Sequence, residues 1–275
     1  MIKFFVGTNI NSIFVAVKNR TYLMNLKNIV FALISVLVLT SCASGYSIEG
    51  SSSVSRLDGK MLFVKVPSGA QMVNVDSAEV VHGLFQMEGE IDSTVIASLY
   101  MDDESIMPLV VEKGNIRIQI DNARITVSGT PLNDKLYAFV GKKNSLDDRA
   151  YEVERMESRL IMDGMQMEEV EMEVAKERDA LSKELDELVK GFIQDNYENV
   201  LGPGVFIMMC NGFPYPILTP VIEEIVEAAP DSFKNHAMVK EYMDAARQNM
   251  EKLKTAPSLP KEASCQAASY SALVE

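Results

Sequence analysis

The clearest periodicity in the chain is Ile116-Arg117-Ile118-Gln119-Ile120, where three Ile alternate with polar residues. A period of two places the Ile on one face, which predicts a half-buried strand. Asp121-Asn122-Ala123 then turns the chain toward Ile125 and Val127, predicting a hairpin. Upstream, Tyr46–Glu49, Lys60–Val66, Val73–Val75, Leu84–Glu88 and Thr94–Tyr100 read as further strands. Gly50-Ser51-Ser52-Ser53, Asp58-Gly59, Gly83 and Gly89 separate them. Short strands at close spacing, with no helical pattern between them, predict an antiparallel β-sandwich or open barrel over residues 46–130.

At Thr130-Pro131-Leu132-Asn133 the period changes. Leu132, Leu136, Phe139 and Val140 recur at helical spacing, and Pro131 stands where a first helical turn tolerates it. Val153, Leu160, Met167, Val174, Leu181 and Leu188 then follow every seven residues. The second seam, Met156 and Val170, gives way to Glu177 and Glu184, so a strict coiled coil is not expected. Gly164 has the chemistry of a helix C-cap and divides this stretch into two antiparallel helices ending near Asn196. Leu201-Gly202-Pro203-Gly204 reads as a break before an apolar helix from Val205 to Cys210. Phe213-Pro214-Tyr215-Pro216 reads as a rigid loop, and Val221–Ala229 and Met238–Leu253 as the last helices. The expected class is α+β, with a helical domain over residues 131–254.

Ahead of the strands lies an address. Ile29 to Leu39 is apolar or small throughout, preceded by Lys27 and followed by Thr40-Ser41-Cys42. The run is too short to span a bilayer and has the form of a signal-peptide core. Leu39-Thr40-Ser41-Cys42 looks like a bacterial lipobox. Cleavage before Cys42 frees that residue for diacylglycerol and N-acyl attachment, and two or three acyl chains anchor stably where one does not. Residues 1–41 are thus expected to be a signal peptide, with Met24 a plausible true start, and residues 42–45 a lipidated tether. The alternative is an ordinary secretory signal with a chance Cys. The expected partner is the lipid bilayer, through acylated Cys42. Ala43-Ser44-Gly45 holds no acidic cluster, so the protein should face the periplasm, with the outer membrane favoured over the inner.

Composition narrows the function. With 275 residues, 47% apolar and 24% charged, the chain is no collagen or fully disordered segment. Its net charge is −13. Removing residues 1–41 takes four of the 26 basic residues and no acids, so 22 face 39 and the balance becomes −17. Such a chain lacks the basic face of a nucleic-acid binder, and it would repel anionic headgroups except through its anchor. Three Cys without C-x-x-C spacing and two His point away from common zinc modules and from a thioredoxin-type dithiol.

Candidate chemistry is sparse. Cys210, in Phe206-Ile207-Met208-Met209-Cys210, has the setting of a buried thiol with a raised pKa, so packing is favoured over reactivity. Cys265 lies in the polar stretch 255–275, read as a disordered tail. A Cys210–Cys265 disulfide would suit an oxidising compartment. His82, before a turn glycine, and His236, beside Asn235, lack local partners for a metal or catalytic role. Met162-x-x-Met165-x-Met167, followed by Met172, offers soft thioethers for Cu(I), but with no Cys or His nearby helix packing is the expected role. Glu168-Glu169-Val170-Glu171 reads as a solvated helix face. Phe206 and Phe213 mark a segment that could carry an apolar ligand. No catalytic residue, metal or cofactor is assigned.

Tyr46-Ser47-Ile48-Glu49-Gly50, Leu57-Asp58-Gly59-Lys60, Asp76-Ser77, Gly83-Leu84-Phe85-Gln86-Met87-Glu88-Gly89, Glu112-Lys113-Gly114-Asn115-Ile116 and Ser128-Gly129-Thr130-Pro131-Leu132-Asn133 together carry a resemblance. Residues 46–253 resemble the amino-terminal region of lipid-anchored, thioredoxin-like thiol:disulfide interchange proteins of Gram-negative anaerobes. That region is a β-rich domain of unknown function, number 4369, followed by a helical segment. In those proteins a thioredoxin-like domain with a Trp-Cys-x-x-Cys motif comes next. This chain has no Trp, so the family's dithiol has no positions to occupy here. The resemblance implies a non-catalytic binding or spacer module of a thiol-redox system, with an envelope protein as partner and a Trp-Cys-x-x-Cys segment expected in some frame of the DNA downstream. A thiol-dependent oxidoreductase or antioxidant enzyme, and an apolar-ligand carrier, are the alternatives.

Overall fold

The computed structural model describes residues 45–69 and 71–255. Among these, eight strands come first: β1 (Gly45–Ser52), β2 (Met61–Ser68), β3 (Gln71–Glu79), β4 (Leu84–Glu90), β5 (Val95–Met101), β6 (Glu104–Val111), β7 (Gly114–Ile120) and β8 (Ile125–Ser128). They form two four-stranded sheets, ordered β4-β1-β7-β8 and β3-β2-β5-β6. The pairings are antiparallel except that of β1 with β7, where Ile48 stands opposite Ile116 in a parallel register. Gly45, expected in the tether, is the first residue of β1 and pairs with Glu90.

The two sheets share one core. Ile48, Phe85, Ile116, Ile118 and Val127 of the first meet Leu62, Val64, Leu99, Met107 and Leu109 of the second. Each fully buried Ile or Leu contributes about 1.5–3 kcal/mol, against about 0–1 kcal/mol for an exposed ion pair, so packing decides this architecture. A polar tie joins the sheets as well: the Tyr46 hydroxyl on β1 donates to Asp76 Oδ2 on β3 at 2.8 Å. Burial, then the Asp76 carboxylate, pushes the Tyr46 hydroxyl pKa upward.

Strand β6 escaped the periodicity. Met107, Pro108, Leu109, Val110 and Val111 are buried in succession, because one face meets the sandwich core and the other the helices. Alternation disappears when both faces are covered. The strand tolerates Pro108 because β6 lies at the edge of its sheet.

The helices are α1 (Pro131–Met162), α2 (Met167–Gln194), α3 (Leu201–Asn211), α4 (Pro220–Ala228), α5 (Asp231–Lys234) and α6 (Ala237–Thr255). Gly164 adopts φ +85 between α1 and α2, as its C-cap chemistry requires. The apolar helix beginning at Val205 needs correction: it starts at Leu201, and Gly202-Pro203-Gly204 form its first turn. Pro203 costs nothing there, since N–H groups of a first turn have no intrahelical acceptor. The glycines serve close approach, because a Cβ on Gly202 would lie 2.4 Å from the Asn196 carbonyl oxygen and one on Gly204 2.3 Å from Ile96 Cδ1. The helical core includes Leu136, Phe139, Ile193, Val205, Phe206 and Phe233, with Val110 contributed by β6.

Helix α1 outruns that core. Its buried residues are Asn133, Leu136, Phe139, Val140 and Lys143, and after them Val153 alone. A helix of 32 residues is about 48 Å long at 1.5 Å per residue. The distal part packs on α2, where Val153 meets Val170, Val174 and Leu181 with Leu146, Met156 and Leu160 at the margin. The seven-residue recurrence therefore belongs to two antiparallel helices, and Met167 falls out of the seam at 52% exposed. Arg149 pairs with Glu184, and Arg178 with Glu157 at 3.3 Å, across the two helices. The product is a two-helix arm. No helix among the described residues is long and apolar enough to cross a membrane.

Candidate functional site

The densest polar cluster lies where the sandwich meets α1. Glu112, just past β6, is largely buried. Its Oε1 accepts the backbone N–H groups of Leu132 at 2.8 Å and Asn133 at 3.2 Å. It thereby caps the first turn of α1, a task that the N-cap residue Thr130 does not perform with its own side chain. A carboxylate is well suited there, since it meets both the orphan N–H groups and the positive end of the helix dipole.

Asn133 returns the favour. It is fully buried; its Oδ1 accepts from Val110 N–H at 2.8 Å, and its Nδ2 donates to Val110 C=O at 2.7 Å and to Thr130 Oγ1 at 2.8 Å. One amide side chain thus pairs both backbone groups of an edge-strand residue. The Tyr137 hydroxyl donates to the Pro108 carbonyl at 3.1 Å, and Pro108 has no N–H to satisfy. Together Asn133, Tyr137 and Pro108 close the outer rim of β6, which would otherwise be a template for foreign strands. On the other side of the same turn, Asp134 Oδ1 accepts from Gly129 N–H at 2.9 Å. Within the Glu112–Ile116 and Ser128–Asn133 stretches, Glu112 and Asn133 are the ties between sandwich and helix, with their side chains bonded to backbone partners.

The candidate chemical groups do not gather. Cys210, on α3, is 2% exposed, and burial pushes its thiol up to about 12, partly offset by a hydrogen bond with Tyr242. Cys42 and Cys265 lie outside the described residues, as do the expected signal peptide and most of the 255–275 stretch; Thr255 itself closes α6. His82 sits in the turn after β3 with φ 53. His236 lies between α5 and α6, where burial lowers its pKa and its Nδ1 is buried without a hydrogen-bond partner. Among the described residues, no three His, Cys, Asp or Glu side chains group as metal ligands. Glu168, Glu169 and Glu171 are exposed around buried Val170, which makes that run a solvated helix face.

Two further readings change. Phe206 is fully buried and packs nearly perpendicular to Phe233 and Tyr242, with ring centroids 5.6 and 5.9 Å away, so it fills the core. Two shallow clefts lie elsewhere: one of about 230 Å³ among Pro108, Arg124, Tyr137 and Asn144, the other of about 390 Å³ beside Val81, Leu84 and Phe85. The methionines expected to pack between helices do not. Met162, Met165, Met167 and Met172 are 86%, 38%, 52% and 64% exposed at the end of the arm. Their helical spacing resembled that of a core stripe, but the arm ends before it meets a third element.

Neither a curated protein nor a solved structure matches the chain. A family model does, and it extends past the last strand to Leu136, taking in Asn133 and the first turn of α1. Residues 46–136, about a third of the 275-residue chain, match the domain of unknown function DUF4369.

Proposed function

We propose that the protein is an envelope lipoprotein, tethered through acylated Cys42 and facing the periplasm. Its sandwich and helices act as a non-catalytic binding or spacer module of a thiol:disulfide interchange system. The observation that carries this reading is the commitment of the family-like residues to structure. Glu112 and Asn133 spend their polar atoms fastening α1 to β6, so the arm extends from a rigid mount. The thiol on α3 is sealed in the helical core, which supports a mechanical role over a nucleophilic one. Cys42 precedes β1 by only three residues, so an anchor there would hold the sandwich close to the bilayer.

Metabolic labelling with an alkyne fatty acid tests the anchor. The wild-type chain should carry label and sediment with membranes, while Cys42→Ala should lose the label. Label retained by Cys42→Ala, or unlabelled wild type in the soluble fraction, contradicts it. Cross-linking from the arm in intact envelopes tests the module: capture of a thiol-redox protein is expected, and its absence from repeated captures speaks against the assignment.

A further inference from the structure

The end of the arm concentrates sulfur. Five large apolar residues are exposed there, Ile161, Met162, Met165, Met167 and Met172, and four of them are Met. In the cores Met87, Met107 and Met209 are each at most 3% exposed, and Met61 and Met72 on the sandwich, at 40% and 41%, stand apart rather than in a group. The turn between α1 and α2 holds three of the thioether-bearing residues together. Gly164 N–H donates to Ile161 C=O and Met165 N–H to Leu160 C=O, each at 3.1 Å. Met162 and Met165 flank that turn, and Met167 opens α2 two residues later. Their backbones are fixed by hydrogen bonds, while each side chain keeps three rotatable bonds with which to bring its sulfur inward.

The surroundings favour a cation. Asp163, Glu168 and Glu169 are exposed beside the turn, and both Glu lie in the first turn of α2. Arg159 is the only basic residue from 156 to 175. Neutral thioethers are poor ligands for hard cations and good ones for soft monovalent ions. We infer that the arm tip is a soft-metal site, in which the sulfurs of Met162, Met165 and Met167 bind one Cu(I) and the neighbouring carboxylates supply attraction without ligation. A surface that only needed apolar area for a protein partner would be served equally by Leu or Ile. The choice of Met at three of the six positions from 162 to 167 is what sets the metal ahead of that alternative.

The test uses the full chain with ¹³C-labelled methionine methyls, after alkylation of accessible thiols. Ag(I) serves as a redox-inert probe, and Cu(I) is measured anaerobically in competition with bicinchoninate. One equivalent of Ag(I) should shift the methyl signals of Met162, Met165 and Met167 and leave those of Met87 and Met107 in place. The triple variant Met162→Leu/Met165→Leu/Met167→Leu keeps the apolar surface and should bind Cu(I) at least tenfold more weakly. The control Met61→Leu/Met72→Leu, exposed in the sandwich, should bind as wild type. Unmoved methyl signals at one equivalent, or wild-type affinity in the triple variant, overturns the site. The methyl readout needs no substitution, so it stands even if the variant folds poorly. Loss of the site would leave the anchor and spacer reading untouched.

Discussion

Asn133 in the first turn of α1 satisfies both backbone groups of Val110 on β6, accepting its N–H at 2.8 Å and donating to its C=O at 2.7 Å. Helix and strand are thereby joined as two strands would be, with one side chain standing in for a neighbouring backbone.

Replacing that side chain should expose its role through an asymmetry. Asn133→Ala leaves two buried backbone groups unpaired, at about 1–3 kcal/mol each. Asn133→Asp keeps an acceptor for Val110 N–H but loses the donor to Val110 C=O and sets a second carboxylate near Glu112. Both variants should show lower urea midpoints with unchanged slopes. Glu112→Gln, which keeps an acceptor for Leu132 and Asn133, should lose less stability than Glu112→Ala, for which a loss of about 1 kcal/mol is expected. Equal midpoints for Glu112→Ala and wild type would mean that the cap is idle.

Lys143 is an unusual resident of a helix interior. Its side chain is 2% exposed, and its Nζ lies 2.6 Å from Asp147 Oδ2, one turn along α1. Removing the acid strands the ammonium, so Asp147→Ala should cost about 1.5–3 kcal/mol. Lys143→Met replaces the charge with an apolar chain of similar length and should be nearly neutral or stabilising. Thermal denaturation of both variants and of the double variant checks this: the double variant should resemble Lys143→Met, and strict additivity of the two losses would refute a coupled pair.

A pH effect follows from His236. Burial holds its folded pKa below the ordinary histidine value, so below that ordinary value the unfolded chain binds the proton more readily. The neutral imidazole's contribution is whole above the unfolded pKa and declines as pH falls toward the depressed one. Urea midpoints at neutral and mildly acidic pH should therefore drop further for wild type than for His236→Gln. An identical drop in both would remove His236 from the account.

Much of this architecture was legible because local physics agreed with the final packing. Ile116–Ile120 alternates since one face of β7 meets the core, and Pro131 and Gly164 mark the ends of α1 because their backbone preferences act locally. Strand β6 was hidden by two-sided burial around Pro108. Gly202-Pro203-Gly204 looked like a break, yet its composition answers to Asn196 and Ile96, residues brought near only by folding. The junction was visible as a set of residues but not as a mechanism, because Glu112 acts on backbone groups 20 and 21 positions away. The exposure of Met162, Met165, Met167 and Met172 has no sequence signal, since a helical stripe does not reveal where its arm outruns the core.

We propose that the characteristic residues of this chain hold a mount and an arm and that Cys210 serves packing rather than thiol chemistry. The most direct measurement is reduction of insulin disulfides by the full purified chain near neutral pH, with dithiothreitol as electron donor. The rate should equal that of dithiothreitol alone, for wild type and Cys210→Ser alike. A rate clearly above that background, abolished by Cys210→Ser while the fold is retained, would contradict the account.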